Sequence, residues 1–151
     1  MRHMPINDGL AWGEFLVVRM LRRWAACRIE GSDALPSLID LGADLGAPPP
    51  LAMALQSLFH LTEACLGRDL NTACVCDTSL TRDELAVLQL VRVANPARLA
   101  TRAVPHGLPG VLAWTAATTR LMLQIDSVLS GSGSSACPFA SARQENTGSV
   151  D

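Results

Sequence analysis

The chain has no lysine and no tyrosine, and its twelve basic residues are all arginine. Alanine, by contrast, is abundant. A GC-rich genome explains these biases together, because GC-rich codons favour Arg and Ala over Lys and Tyr. The composition therefore points to a protein of bacterial type and not to an activity. Charge is scarce too: 17% of residues are charged and 49% hydrophobic, with a mean hydropathy of +0.25. A net charge of -2 and a pI near 5.9 exclude a general attraction to nucleic acid or to an anionic membrane surface. Long apolar runs are missing. The first is broken by Glu14 and Arg19, and the longest uncharged stretch, Ala103 to Thr119, holds Pro105, Gly107, Pro109 and Gly110. No membrane span is expected. The opening Met1-Arg2-His3-Met4-Pro5 lacks the charged-then-apolar pattern of a secretory leader. The five cysteines are an odd number, which without a leader predicts reduced thiols and a cytoplasmic location.

Several catalytic signatures are absent as well. Gly107-Leu108-Pro109-Gly110 is the nearest approach to a phosphate-binding glycine loop, but proline removes an amide that such a cradle needs. No Gly-x-Ser-x-Gly elbow frames a nucleophile. His60 and Glu63 stand in the order opposite to the Glu-x-x-His of di-iron bundles, and there is no second copy. The expectation is a protein that is not an enzyme and carries no cofactor.

What is present is helical patterning. Asn7 or Asp8 can cap a first helix from about Leu10 to Arg28. Leu10, Val17, Met20, Leu21 and Trp24 share one face of it. Trp12, Phe15, Arg19, Arg22 and Arg23 fall on the opposite, outward face. A second helix runs from Asp33 to about Leu45, and the prolines at 48–50 force an extended turn. A third, Leu51 to Leu66, carries Leu51, Ala54, Leu58, Leu61 and Cys65 on one stripe and is closed by Gly67. A capping box, Thr81-Arg82-Asp83-Glu84, opens a fourth, which is apolar on more than one side and expected to be central. Asn95-Pro96 starts a short fifth helix to about Ala103, and Pro105 to Gly110 reads as a turn. The last helix, Val111 to about Leu129, places Val111, Trp114, Thr118, Leu121, Ile125 and Val128 in a heptad-like stripe. The fold class is thus all-α: a compact bundle of five or six helices over residues 1–130. Residues 131–151 form a Ser/Gly-rich tail of the composition expected for disorder.

The stretch from Leu51 to Glu84 holds three of the cysteines and is where chemistry is sought. Cys65, Cys74 and Cys76, with His60 or Cys137, are of a type that ligates zinc or an iron–sulfur cluster. Their spacing does not match: one C-x-C has no second knuckle, and Cys65 and His60 lie about 140° apart around a helix. The other readings make Cys27 and Cys65 small core residues and set Cys74 and Cys76 under a loop, or use Cys74 or Cys76 as a thiol switch.

Leu80 to Val91 resembles the first helix of a LuxR-type helix-turn-helix, which implies DNA binding. The following stretch holds prolines, glycines and a nearly uncharged helix instead of a basic recognition helix, so the chain is not assigned to that family. Nucleic-acid binding then rests on the arginines of the first helix. The favoured expectation is a regulatory or protein–protein interaction module. Its contact face is Trp12, Phe15, Arg19, Arg22 and Arg23, since Trp and Arg are enriched at binding hot spots. A homodimer can form through this face or through the last helix. A Cys-based metal or redox sensor is the third reading.

Overall fold

The computed structural model describes residues 12–100 and 106–131. Five α-helices and one 3₁₀ segment make up these residues, with no strand among them. They are α1 (Trp12–Glu30), α2 (Ala34–Asp44), α3 (Pro49–Leu66), α4 (Arg82–Val93), the 3₁₀ segment Pro96–Ala100 and α5 (Gly107–Gly131). The all-helical, packed architecture is the expected one. The Ser/Gly-rich tail after residue 131, with Cys137, lies outside the described residues, as do residues 101–105 and the expected caps Asn7 and Asp8.

The capping residues act largely as their types dictate. Asp33 accepts the amide of Leu35 and is the cap of α2 itself, one place before the first turn in which it was expected. Gly67 ends α3 at a φ of 66°, a left-handed conformation that a side chain disfavours, and its amide returns to Glu63. At Thr81 the box is complete: the Glu84 amide donates to the hydroxyl, and the Thr81 amide donates to the Glu84 carboxylate. Asn95 caps the 3₁₀ segment through the amide of Ala97. Two starts come earlier than expected. α3 begins at Pro49 and α5 at Gly107, so Pro109 sits in a first turn and not in a separate turn. Proline is tolerated there because the first amides of a helix have no partner inside it.

The central element is α1 and not α4. α1 touches each of the other four helices and is buried around roughly two thirds of its circumference. Leu16, Val17, Val18, Met20, Leu21 and Cys27 have no exposed surface, and Trp24 stacks obliquely on Phe59 at 5.5 Å. α3 answers with Leu51, Leu55, Leu58 and Phe59, and α4 closes the core with Val87, Leu88 and Val91. The outer side of α4 is exposed at Leu85 and Val93. α2 reaches α1 closely: a methyl group at Gly42 would lie 3.1 Å from the terminal carbon of Met20.

Among the described side chains of α5, Ala116, Ala117 and Thr119 are buried, while Trp114 and Leu121 of the heptad-like stripe are exposed. Small side chains let α5 come close to its neighbours, among which α3 makes the most extensive contact.

Candidate functional site: a thiol pair on an arginine-locked loop

The segment between α3 and α4, residues 67–81, has little apolar content, and Leu70 is its one fully buried hydrophobic side chain. Its order comes from a buried ion pair. Arg22, expected on the outer face of α1, is 1% exposed, and Glu84 in the first turn of α4 is 0% exposed. The guanidinium donates through Nε and Nη2 to the two carboxylate oxygens, at 2.7 and 3.0 Å. Its remaining N–H groups reach the loop backbone: Cys74 O at 3.1 Å, Asp77 O at 2.5 Å and Ser79 O at 2.6 Å. All five donors of the guanidinium are therefore used. Glu84 is equally complete, taking the amides of Ala73 and Thr81 on the two oxygens that also receive Arg22. A buried charge pair is tolerable only with such full satisfaction.

The lock explains why Arg22 leaves the outward face. Its neighbours one turn away on α1, Val18 and Ala25, are buried apolar residues. That is the signal in the sequence that could have set Arg22 apart from Arg19 and Arg23. A second anchor lies at the start of the loop. Arg68 donates twice to Asp83, which also takes the Asn71 amide at 2.7 Å. Hydrogen bonds from Arg68 first, and then from Asn71, hold the Asp83 carboxyl at a pKa of about 2. A third involves Glu63, which pairs with Arg28 and takes the Leu70 amide. His60 instead meets the Trp24 ring edge-on at 5.2 Å.

What the loop displays is Cys74-Val75-Cys76. Cys74 O accepts the Asp77 amide at 3.0 Å, closing a turn with Val75 and Cys76 at its centre. The same carbonyl is gripped by Arg22. This turn brings the two exposed, reduced thiols to 3.1 Å, sulfur to sulfur. The expectation that they pack beneath the loop is thus overturned: both face solvent. Their electrostatics differ. The Cys74 thiol is pushed below its ordinary pKa, first by hydrogen bonding from the Cys76 backbone and then by the Cys76 side chain. The Cys76 thiol is pushed up, first by its hydrogen bond to Cys74. The pair thus favours the thiolate at Cys74 over Cys76.

The other expected site residues divide. Cys27 is buried, as a core residue should be, but Cys65 is exposed. It keeps the angle of the apolar stripe, yet it lies in the last turn of α3, where residues 64–69 are all exposed. Among the described residues no cluster of three or more His, Cys, Asp or Glu side chains has a metal-binding arrangement, so Cys65 does not join Cys74 and Cys76 in one. On α1, Trp12 and Arg23 are exposed and Phe15 and Arg19 half-buried. The Arg19 guanidinium lies 6.0 Å from the centre of the Phe15 ring, and Arg28 is drawn over the Trp24 ring and onto Glu63. No helix among the described residues is long and apolar enough to cross a membrane.

No known protein family, no curated protein and no solved structure matches the chain.

Proposed function

We propose that the protein is a non-catalytic regulatory module that responds to thiol oxidation through Cys74 and Cys76. The observation that carries this reading is the approach of two exposed thiols to 3.1 Å on a turn gripped by a buried arginine. Oxidation by a disulfide balances without another reactant. The Cys74 thiolate attacks one sulfur of the oxidant, and the other sulfur leaves as a thiolate with the bond's electron pair. Cys76 then gives up its proton and attacks the Cys74 sulfur, releasing the second half of the oxidant. Two thiols form from the oxidant, and one disulfide forms in the protein. Such a bond joins the two residues that flank Val75 within the Cys74–Asp77 turn, whose first carbonyl, Cys74 O, is an Arg22 acceptor. The oxidised loop presents a partner with a disulfide in place of two exposed thiols.

The test is oxidation of the full chain with diamide, followed by alkylation and peptide mapping. The expected result is loss of two hydrogens, mapped to a Cys74–Cys76 bond and abolished in Cys74→Ser. Alkylation of both residues after oxidant treatment, or a bond between other cysteines, overturns the reading.

A second reading is favoured by a separate observation. Trp114 and Leu121 leave apolar surface on the outer side of α5, and Arg120 does not charge it, being turned onto the carbonyls of Arg92 and Ala94. An uncharged stripe of this kind suits a second copy of the chain, because it is complementary to itself. Light scattering after size exclusion tests it: a dimer that becomes a monomer in Trp114→Glu supports it, and a monomer at high concentration sinks it. The nucleic-acid reading has less support. The arginine strip of α1 reduces to Arg19 and Arg23, which lie beside Asp40 and Asp44 and so offer phosphate little net positive charge.

A further inference from the structure

Beside the thiol turn lies a cleft of about 260 Å³ between α1 and α2, and Val75 forms part of its wall. Val75 is the residue between the two thiols. The cleft is lined by two guanidiniums, Arg19 and Arg23, and two carboxylates, Asp40 and Asp44. None of the four is in an ion pair among the described residues. Arg23 donates only to the Ser37 hydroxyl, at 3.3 Å. Arg19 makes one long bond, 3.4 Å, to Val75 O, and its Nε is buried without a partner. The charges that line the cleft are therefore free to receive a ligand that carries their counter-charges. The larger hollow on the other side of the loop is different: its Arg68 and Asp83 are already spent on each other, and Asp77 on Ser79.

We infer that this cleft seats the oxidant of the thiol pair, and that the oxidant is a small zwitterionic peptide disulfide of the glutathione class. The inference rests on the thiol reading above. One half of that disulfide offers two carboxylates, matched by Arg19 and Arg23, and one ammonium group, matched by Asp40 and Asp44. A purely anionic ligand would meet the two aspartates, and a purely cationic one the two arginines. Only a molecule carrying both signs satisfies the set. Arg19 bonds the backbone of Val75, so occupancy holds the disulfide next to the residue that joins the two nucleophiles. The exchange is the one written above: the bound disulfide is reduced to two thiols, and Cys74 and Cys76 are oxidised to one disulfide.

The experiment follows the rate of Cys74–Cys76 disulfide formation by quenched alkylation. Two oxidants are compared, glutathione disulfide and the uncharged bis(2-hydroxyethyl) disulfide, on the full chain and on Arg23→Gln and Asp40→Asn. Each variant is expected to slow glutathione disulfide by about fivefold, the scale of one exposed ion pair, and to leave the uncharged oxidant unchanged. Added salt should shrink the difference. If both oxidants keep the same rates in both variants, the cleft is not the seat and the inference falls while the thiol reading stands. If neither oxidant nor diamide closes the bond, the thiol reading falls and takes this inference with it.

Discussion

The contact of α1 with α3 and the 67–81 loop are both ordered, but by opposite means. Across the helices, Leu16, Met20, Leu21, Leu55, Leu58 and Phe59 are wholly removed from water, and each such burial contributes about 1.5–3 kcal/mol. The loop buries Leu70 and little else that is apolar. It is held by charge instead: Arg22 and Glu84 between them engage Ala73, Cys74, Asp77, Ser79 and Thr81. The difference bears on function. Apolar packing tolerates small shifts, because it has no direction. A guanidinium with every donor used does not, since moving one carbonyl breaks a bond that nothing replaces. The thiol turn is attached to the part of the molecule where a local change is felt.

The largest effects should come from removing one half of each kind of contact. Arg22→Met leaves Glu84 buried without its counter-charge and should cost about 3–5 kcal/mol. Leu55→Ala opens a cavity in the apolar core and should cost about 2–5 kcal/mol. Denaturant midpoints therefore overlap, and amide hydrogen exchange separates the two. Arg22→Met should release the amides of Ala73 and Thr81 ahead of the helices, whereas Leu55→Ala should lower protection in α1 and α3 together. The double variant Arg22→Met with Glu84→Leu should recover only part of the single loss: no unpaired charge remains, but the loop amides and carbonyls that the pair held lose their partners. Equal exchange patterns in the two single variants would remove the distinction between loop and core.

The sequence made the helices legible and left the lock hidden, and the reason is physical. Helix ends are set by local chemistry, so Gly67, the Thr81–Glu84 box and Asn95 could be read in place, and Asp33 to within one residue. Faces are set by what lies opposite. Arg22 partners Glu84, 62 residues away, and nothing in a 3.6-residue period records that. The same limit hid the exposure of Cys65, which depends on where its neighbours stop. Of the candidate site, the Cys74–Val75–Cys76 loop was identifiable from residue type. The closeness and exposure of its thiols were not, because they follow from the turn that Arg22 holds.

A smaller effect should come from the hinge between the two regions. The Thr81 hydroxyl accepts the Glu84 amide and donates to Asn71 O at 2.7 Å, so it caps α4 and ties down the loop at once. Thr81→Ala should cost about 1 kcal/mol, and Thr81→Ser should restore most of it. The accompanying change in Cys74 alkylation rate is the informative readout. A faster rate in Thr81→Ala means that loop order reaches the thiols through this residue. An unchanged rate confines that role to Arg22.

The smallest effect concerns the Arg68–Asp83 anchor, and pH isolates it. The folded carboxyl titrates at about 2, below its unfolded value of about 3.9. A carboxyl depressed on folding stabilises the protein fully above the unfolded pKa, and the contribution fades as pH falls from about 4 through 2. Arg68 is more than half exposed, so solvent screening keeps the contribution below about 1 kcal/mol. Asp83→Asn should therefore be slightly less stable than the natural chain at pH 6, and the gap should be mostly closed at pH 2, where about half of the folded carboxyl is protonated. Leu55→Ala should instead stay displaced by a similar amount across the same range, since cavity formation carries no proton. Urea titrations of both variants at pH 2, 4 and 6 distinguish the two patterns. If the Asp83→Asn gap persists undiminished at pH 2, the anchor acts through packing and not through charge, and the loop is held electrostatically at Arg22 alone.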